Sequence, residues 1–230
     1  MDLAFILRAG WFPCCSANTG DGSLTPEPSL LVATRNEGKL QELRQLLADL
    51  PLSLLGLDDF PTIQTVAETG LTFVENASLK ASGYATQGHI LTLADDSGLE
   101  VDALGGAPGV LSARYPGEAA SDAARINKLL AELSGVAVEN RTARFVCAIA
   151  IANSEGSILN VSKGTCEGQI DLAPHGEQGF GYDPVFLLSG HRSTFAELAP
   201  SVKNRISHRA RALQGALDYL RALTSASGGR

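Results

Sequence analysis

Two long segments rich in strand-forming residues flank a short turn, and this pair constrains the fold more than any other feature. The segments are residues 143–153 and 157–171, with Ser154, Glu155 and Gly156 between them. Two such runs joined by a few turn residues predict a long β-hairpin. The longest unbroken apolar run, residues 145–152, is far shorter than the roughly 18 residues of a membrane-spanning helix. The sequence therefore predicts a β-sheet protein that is not an integral membrane protein.

Strand-like and helix-like patterns alternate along the rest of the chain. Further strands are predicted at residues 29–34, 52–57 and 89–94. A first helix is predicted after residue 36, because Leu40, Leu43, Leu47 and Leu50 repeat at helical spacing. Further helices are predicted at residues 73–87, 122–133 and 206–223. The last of them has Leu213, Leu217 and Leu220 on its inner face. Thr72 and Glu75 form a capping box before the second helix, and Ser121 is a suitable cap for the third. This order predicts an α/β fold with a mixed central sheet flanked by helices, as one domain or two intimate lobes.

The two ends of the chain differ in composition from the rest. Residues 1–29 combine a short apolar start with a stretch rich in Ser, Thr, Gly and Pro. They are predicted to be a disordered N-terminal extension or an over-long start, with a targeting segment as the alternative. Residues 225–230 are predicted to be a loose tail. The folded domain is therefore expected to span residues 30–224.

Charge and cysteine content exclude several classes of protein. The chain has 18 basic and 25 acidic residues, a net charge of −7. The overall field therefore repels polyanions, and general nucleic-acid binding is not expected. The four cysteines include one adjacent pair and no C-x-x-C spacing, which argues against a zinc site or a disulfide framework. A reducing cytoplasm is the simplest location for such a chain.

The first predicted strand is followed by a polar segment that breaks a helix rule. Asn36 is a suitable N-cap, and Lys39 then falls in the first helical turn, where the positive end of the helix dipole disfavours a cation. A bound phosphate would offset this conflict, because backbone N–H groups and the lysine would point at it. The alternative is a surface lysine that reaches into solvent. The glycine spacing and Leu40 do not match a Walker A loop.

Acidic residues mark two further candidate positions. Asp95 and Asp96 follow the strand predicted at residues 89–94, and α/β sheets bind ligands at the carboxyl ends of their strands. On an extended backbone the two side chains point apart, so they can serve different tasks, one of them holding a metal. Glu68 lies in a predicted loop and is a second metal-ligand candidate. The alternatives are an Asp-rich turn and an ordinary exposed loop acid.

An aromatic residue between glycines and a basic segment complete the candidates. Phe180 lies between Gly179 and Gly181, so the backbone can approach a ligand closely while the ring offers a stacking face for a base. Residues 191–211 hold five Lys or Arg side chains and two histidines against a single acid, Glu197. Such a local positive field suits a polyphosphate. The alternatives are a tight turn with a core aromatic residue and a solvated basic helix face.

Six motifs occur in order along the chain and carry a family resemblance. They are ATRNEGK (33–39), ETGLTFVENA (68–77), ADDSG (94–98), GGAPG (105–109) with SARY (112–115), GFGYDP (179–184) and ISHR (206–209). Together they closely resemble the motifs of the inosine/xanthosine triphosphate pyrophosphatase (ITPase) family over about residues 30–223. Two departures are visible, the 29-residue extension and Ala210, where a glycine commonly follows the His-Arg pair.

The resemblance implies an enzyme, a nucleoside triphosphate pyrophosphatase. Its expected reaction is hydrolysis of deaminated purine nucleoside triphosphates (ITP, dITP and XTP) to the nucleoside monophosphate and pyrophosphate, which cleans the nucleotide pool. The implied cofactor is Mg²⁺ and the implied assembly is a homodimer, with no nucleic-acid or membrane partner. The implied fold has an elongated central sheet and two lobes with the active-site cleft between them.

Residue roles also follow from the resemblance. Asp96 matches the general base, and Glu68 and Asp96 match the magnesium-associated acids. The positions that match substrate contacts are Thr34, Arg35, Asn36, Glu37, Gly38, Lys39, Lys80, Ser97, Phe180, Gly181, Tyr182, Asp183, Lys203, His208 and Arg209. Asp95 and Arg114 match the pattern and are assigned supporting roles.

The chemistry of these residue types agrees with the implied roles. Mg²⁺ prefers carboxylates, phosphate oxygens and water as ligands, and lysines neutralise phosphate oxygens. The resemblance implies that Phe180 lies under the base, with His208 and Arg209 near the purine 6-position. Hypoxanthine and xanthine present a 6-oxo acceptor where adenine presents an amino donor, so a donor from either residue favours the deaminated bases.

Two other functions remain as alternatives. One is a different nucleotide hydrolase, such as one that acts on modified pyrimidines through a related fold. The other is a catalytically silent nucleotide- or RNA-binding module. A silent module would keep the basic segment and lose the acids, yet Glu68, Asp95 and Asp96 are all present, which favours an enzyme.

Overall fold

The computed structural model describes residues 28–118 and 120–227. Within them the chain forms a six-stranded mixed sheet in the order β2-β1-β3-β4-β5-β6. The strands are β1 (Ser29–Val32), β2 (Ser53–Gly56), β3 (Thr92–Val101), β4 (Thr142–Ala152), β5 (Ile158–Ile170) and β6 (Phe186–Leu188). The first three are parallel and the pairs from β3 to β6 are antiparallel. The extension predicted at residues 1–29 lies almost entirely outside the described residues.

The described residues also form five α-helices. They are α1 (Glu37–Leu47), α2 (Phe73–Gly88), α3 (Asp122–Glu132), α4 (Pro200–Ile206) and α5 (His208–Ser227). The predicted caps are confirmed, because Asn36, Thr72 and Ser121 each accept a backbone hydrogen bond at the start of their helix. None of the helices in the described part of the chain is long and apolar enough to cross a membrane.

The predicted hairpin is confirmed and forms the longest part of the sheet. β4 and β5 pair from Thr142 opposite Gln169 to Ala152 opposite Ile158. The Asn153 side chain closes the turn by accepting a hydrogen bond from Ser157 N at 2.8 Å. The sheet is elongated because this hairpin extends well beyond the short parallel strands.

Different helices cover the two faces of the parallel half of the sheet. Side chains alternate between faces along a strand, so Leu30 and Val32 face α1 and α5, whereas Leu31 and Ala33 face α2. The first layer buries Leu40, Leu43 and Leu47 of α1 and Leu213 and Leu220 of α5; the second buries Phe73, Ala77, Ala81 and Tyr84 of α2. Each fully buried Leu contributes about 1.5–3 kcal/mol of burial free energy.

The far end of the hairpin builds a second lobe. Phe145 and Phe186 pack with their ring centroids 4.6 Å apart, and Phe186 and Phe195 are 5.1 Å apart. Leu129 of α3 and Leu133, the residue that follows α3, also pack in this cluster. The structure therefore confirms the expected α/β fold with helices on the sheet and two lobes.

The strand predicted at residues 89–94 is misplaced. His89 adopts a left-handed backbone, with φ of 48°, and ends α2. β3 begins at Thr92 and continues to Val101, because β4 pairs with its whole length. The sequence Asp-Asp-Ser-Gly favours a turn locally, but cross-strand pairing holds it extended.

As a consequence, the two aspartates lie inside β3 rather than after it. β1 pairs with β3 only as far as Val32 opposite Leu93. Asp95 and Asp96 therefore lie just beyond the end of the parallel neighbour. Further along, Ser112 Oγ accepts a hydrogen bond from Leu99 N at 2.9 Å, so the segment 109–114 follows β3 where β1 has ended. A cleft opens between these two neighbours of β3.

The C-terminal helix predicted from residue 206 is interrupted. α5 begins at His208, and Ser207, in an extended conformation, separates it from α4. The Ser207 Oγ accepts a hydrogen bond from Ala210 N at 3.2 Å, which caps the new helix. α5 ends at Ser227, within the segment 225–230 that was expected as a tail.

We expect Gly164→Ala to destabilise the protein by about 1–3 kcal/mol, the usual cost of overpacking. β5 crosses the first turn of α5 at Gly164, where an added Cβ would lie 2.2 Å from His208 O and 2.3 Å from Ala212 N. Gly117→Ala is the matched control, because a Cβ at Gly117 meets nothing within 4 Å. Urea unfolding measures both variants. Equal stability of the two would contradict the close packing of α5 on β5.

Candidate active site

The first turn of α1 carries the polar segment that follows β1. Asn36 Oδ1 accepts a hydrogen bond from Lys39 N at 3.0 Å, and Thr34 Oγ1 accepts one from Asn36 N at 3.2 Å. Lys39 Nζ lies 3.1 Å from Asp95 Oδ2. A buried carboxylate therefore offsets the conflict between this lysine and the helix dipole. Lys39 points into the molecule and is not the solvent-facing lysine of the alternative interpretation.

Several donors converge on Asp95. Besides Lys39, Arg209 approaches Asp95 Oδ2 with Nε and Nη2, each at 3.4 Å, and Ser97 Oγ donates to the same oxygen at 3.3 Å. Burial acts to raise the pKa of Asp95, but Lys39, Arg209 and Lys80 outweigh it and hold the pKa well below its usual range. Asp95 is therefore ionised at neutral pH and fixes the positions of its cationic neighbours.

Asp96 points to the opposite face of β3 and meets a different lysine. Lys80 Nζ lies 3.3 Å from Asp96 Oδ1 and 2.8 Å from Glu68 Oε1. The other oxygen, Asp96 Oδ2, is buried and has no hydrogen-bond partner among the described residues. Burial, with the charges of Glu68 and Asp95, raises the pKa of Asp96 although Lys80 and Lys39 act in the opposite direction. The divergence expected for neighbouring aspartates on a strand is therefore present.

Glu68 and Asp96, the two acids predicted to hold a metal, share the ammonium group of Lys80. Burial acts to raise the pKa of Glu68, but the charge and hydrogen bond of Lys80 outweigh burial, so the net pKa is lowered. This carboxylate is therefore ionised at neutral pH. Among the described residues no group of three or more His, Cys, Asp or Glu side chains is arranged for a metal ion. Mg²⁺ is commonly held by one or two carboxylates together with substrate phosphates. Glu68 and Asp96, which Lys80 holds together, are such a pair of carboxylates and fit such an ion.

Glu42 is a part of the site that the sequence analysis missed. Its carboxylate pairs with Lys203 Nζ at 2.8 Å and with Arg209 Nη1. Burial acts to raise the pKa of Glu42, but Arg209 and Lys203 together lower it. The sequence feature that could have indicated Glu42 was its position, three residues after Lys39 and next to Leu43, which is buried. An acid at that spacing is equally common on a solvent-facing helix surface, so the signal was weak.

Two aspartates hold the loop that carries Phe180. Asp183 Oδ2 accepts hydrogen bonds from Phe180 N at 2.9 Å and from Lys203 Nζ at 2.6 Å. Asp122 Oδ2 accepts one from Gly181 N at 2.6 Å. Lys203 Nζ also lies 4.9 Å from the centroid of the Phe180 ring. The ring is therefore anchored beside a cation instead of belonging to the hydrophobic core.

His208 is buried against the ring of Phe145. The two centroids are 4.7 Å apart and the planes are inclined by 13°. Burial, together with the charges of Arg209 and Lys203, holds the pKa of His208 well below its usual range, so the imidazole is neutral at neutral pH. Its Nδ1 atom is buried and has no hydrogen-bond partner among the residues described.

These side chains surround one cavity of about 780 Å³, a volume typical of small-molecule sites. The predicted site residues that line it are Thr34, Arg35, Asn36, Lys39, Glu68, Lys80, Asp96, Ser97, Phe180, Gly181, Tyr182, Asp183, Lys203, His208 and Arg209. Arg114, Arg125 and Phe145 also line it. The cavity therefore joins the polar loop, the acids, the aromatic residue and the His-Arg pair.

Two predicted residues lie outside the cavity lining. Glu37 is exposed at the start of α1, where an acid suits the positive end of the helix dipole. Gly38 packs under Phe180, since an added Cβ would lie 2.4 Å from Phe180 Cδ1. The structure places neither residue at the cavity surface.

The basic segment 191–211 divides between the cavity and the surface. Lys203, His208 and Arg209 face inward, whereas Arg205 and Arg211 are exposed. Each of the two interpretations of this segment therefore holds for a part of it. Helical spacing on α4 and α5 decides which residues turn inward.

We expect Glu42→Gln to destabilise the protein by about 2–3 kcal/mol at pH 7, because two buried cations lose a counter-charge. Because the pKa of Glu42 is lowered in the folded state, its ionised carboxylate contributes to the free energy of unfolding above the unfolded-state pKa near 4.3. This contribution is lost as the pH falls through the folded-state pKa. The difference from wild type should therefore shrink below about pH 4. Glu37→Gln, an exposed acid on the same helix, is the control. Equal urea stabilities of the two variants at pH 7 would contradict this role.

Comparison with known proteins identifies the family. The profile of the Ham1 family matches residues 30–219. A dITP/XTP pyrophosphatase of Geobacillus kaustophilus is 54% identical over 184 residues, which cover 80% of this chain and 90% of that protein. A dITP/XTP pyrophosphatase of Geobacter sulfurreducens is 52% identical over 191 residues, 83% of this chain and 96% of the relative.

Solved structures agree with this match. The HAM1 protein from Coxiella burnetii superposes with a TM-score of 0.76 at 42% identity, covering 86% of this chain and 99% of that one. A nucleoside-triphosphatase / dITP/XTP pyrophosphatase from Mycobacterium abscessus gives a TM-score of 0.68 at 45% identity, with 82% and 98% covered. On sequence and fold together, this chain belongs to the Ham1 family.

Proposed function

We propose that this chain hydrolyses deaminated purine nucleoside triphosphates, namely ITP, dITP and XTP, to the nucleoside monophosphate and pyrophosphate. The observation that carries the proposal is a single cavity lined both by Lys39, Lys80 and Lys203 and by Phe180 with His208. A cluster of cations suits a triphosphate, and an aromatic ring beside a hydrogen-bonding pair suits a base. The names of the relatives, dITP/XTP pyrophosphatase, support the same reaction.

The three lysines serve the polyphosphate. Each already contacts a carboxylate, Lys39 with Asp95, Lys80 with Asp96, and Lys203 with Asp183. Their ammonium groups are therefore held in position before substrate binds. Fixed charges that need no reorganisation stabilise developing negative charge more effectively than mobile ones. The leaving pyrophosphate is the group that gains this stabilisation.

Asp96 is the proposed general base. A water molecule attacks the α-phosphorus, a new P–O bond forms, and the bond from that phosphorus to the oxygen bridging the β-phosphate breaks. The unpartnered Asp96 Oδ2 is free to accept the proton of this water. The raised pKa of Asp96 makes its carboxylate a better proton acceptor than an ordinary aspartate. Lys80, which contacts Oδ1, fixes the orientation of the group.

Glu68 and Asp96 are the proposed Mg²⁺ ligands. The bound ion would polarise phosphate oxygens and offset their charge. Lys80 holds both carboxylates, and Arg114 Nη1 lies 4.0 Å from Glu68 Oε2. These cations keep the two acids on the same side of the cleft despite their mutual repulsion.

The base is selected by Phe180 and the His208–Arg209 pair. Arg209 already donates to Asp95, Glu42 and Ser97, whereas Nδ1 of His208 has no partner among the described residues. With its proton on Nδ1, the neutral imidazole donates to the 6-oxo group of hypoxanthine or xanthine. The amino group of adenine would place a donor against this donor, which disfavours ATP.

We also propose a homodimer in the cytoplasm. The assembly is the one that the family resemblance implies. Leu71, Leu111 and Leu172 are large exposed apolar residues that a protein contact would cover. Cys147 and Cys166 are buried free thiols on neighbouring strands, which is compatible with a reducing compartment.

We expect Asp96→Asn to keep the fold and to lose roughly three orders of magnitude in kcat, because the amide cannot accept the proton. Pyrophosphate release from ITP, XTP, dITP, ATP, dTTP and dUTP, with Mg²⁺ present, measures both activity and substrate class. Asp58→Asn, at an exposed acid away from the cavity, is the control. Wild-type turnover by Asp96→Asn would remove this residue from the chemistry. Preferred hydrolysis of dTTP or dUTP would support the pyrimidine alternative, and ITP binding without pyrophosphate release would support the silent module.

We expect His208→Ala to lower the preference for ITP over ATP by about tenfold or more, since it removes a donor to the 6-oxo group. Arg209→Ala should lower both this preference and the stability, because it removes one of the two cations that contact Asp95 and one of the two that contact Glu42. The ratio of kcat/KM values for ITP and ATP is the measurement. An unchanged ratio in both variants would contradict this account of base selection.

A further inference from the structure

Arg125 lines the cavity but has no part in the reaction described above. It lies on α3, in the second lobe, and its Nη1 donates to Asp122 Oδ1 at 2.5 Å. The other oxygen of Asp122 accepts the hydrogen bond from Gly181 N. A single carboxylate therefore ties Arg125 to the residue that follows Phe180, at the end of the cavity proposed to hold the base.

The guanidinium of Arg125 retains an unused donor. Its Nε atom is buried and has no hydrogen-bond partner among the described residues, although the side chain as a whole is 19% exposed. Buried donors without an acceptor are rare in folded proteins and call for an explanation such as a ligand. The charge also reaches Tyr182, where it opposes the burial that raises the pKa of that phenol. The hydrogen bonds of Asp122 to Arg125 and to Gly181 N place Arg125 beside the 180–183 loop.

Arg125 also approaches the cavity from a different direction than the other cations near Phe180. Lys203 and Arg209 come from α4 and α5 and contact the acids Glu42, Asp95 and Asp183. Arg125 comes from α3 and contacts only Asp122 among the acids described. A base lying on Phe180 with its 6-position at His208 would have a second donor available from the α3 side.

We propose that Arg125 is a specificity-determining residue that donates a hydrogen bond to the 2-oxo group of xanthine. This inference rests on the proposed function and deepens it. A guanidinium can only donate, so it favours an oxygen at position 2 and opposes the 2-amino group of guanine. Guanine shares the 6-oxo group with the proposed substrates, so His208 alone does not reject it. Arg125 supplies the missing discrimination, and hypoxanthine, with hydrogen at position 2, is indifferent to it.

The test compares three nucleotides in Arg125→Ala. We expect kcat/KM for XTP to fall about tenfold or more, the value of a hydrogen bond to a charged group, while that for ITP changes less than about threefold. Hydrolysis of GTP relative to ITP should rise. Arg125→Lys keeps a donor and should restore part of the XTP preference. Lys128→Ala is the control on the same helix, because Lys128 pairs with Glu132 at 2.7 Å and does not line the cavity.

Binding of XMP and IMP, measured by calorimetry, gives the same comparison without turnover. An unchanged XMP-to-IMP affinity ratio in Arg125→Ala would overturn the role of Arg125, whether or not the enzyme hydrolyses ITP. Absence of hydrolysis by wild type would instead overturn the proposed function. Equal losses of kcat/KM for all nucleotides would mean that Arg125 only supports the loop at Gly181. A changed ratio of kcat/KM for dITP and ITP, with XTP unaffected, would mean that Arg125 contacts the sugar. Each of these results contradicts the proposal.

Discussion

The cleft depends on a set of buried charges centred on Asp95. This carboxylate lies in β3 and contacts Lys39 of α1 and Arg209 of α5, so it joins three elements that meet at the cavity. Glu42 of α1 closes the ring by contacting Arg209 and Lys203. Buried charges are costly unless they are paired. The network therefore stabilises this arrangement of α1, β3 and α5, which defines one side of the cleft.

The alternation of side chains along β3 separates two tasks within two residues. Asp95 points to the face where α1 and α5 pack and organises Lys39 and Arg209, whereas Asp96 points to the α2 face and meets Lys80. The Oδ2 atom of Asp95 contacts two cations, and the pKa of Asp95 is lowered; Asp96 contacts Lys80 through Oδ1, and its pKa is raised. Two carboxylates with opposite pKa shifts can divide structural and chemical roles in this way.

Much of the fold follows from local patterns in the sequence, and the failures have identifiable causes. The Thr72–Glu75 capping box and the 154–156 turn form as predicted, because their hydrogen bonds join residues only a few positions apart. β3 is longer than predicted because pairing with β4 overrides a turn-forming sequence. The break at Ser207 was missed because a serine is compatible with both a helix interior and a cap. The family resemblance pointed to most of the polar residues that line the cavity, but not to Arg125. It also did not point to Glu42, which contacts Lys203 and Arg209 behind the lining.

The sequence by itself determined the alternation of strands and helices, the helix caps and the set of acids, lysines and aromatic residue available for chemistry. Only the tertiary structure decided how these groups combine. Glu42 and Lys203 are 161 residues apart, and Asp95 and Arg209 are 114 apart. Such pairs depend on how helices pack on the sheet, whereas periodicity and capping act over a few residues. Whether a charged side chain turns inward is settled by the free energy of burying it with its partner, and the partner is known only once the chain has folded.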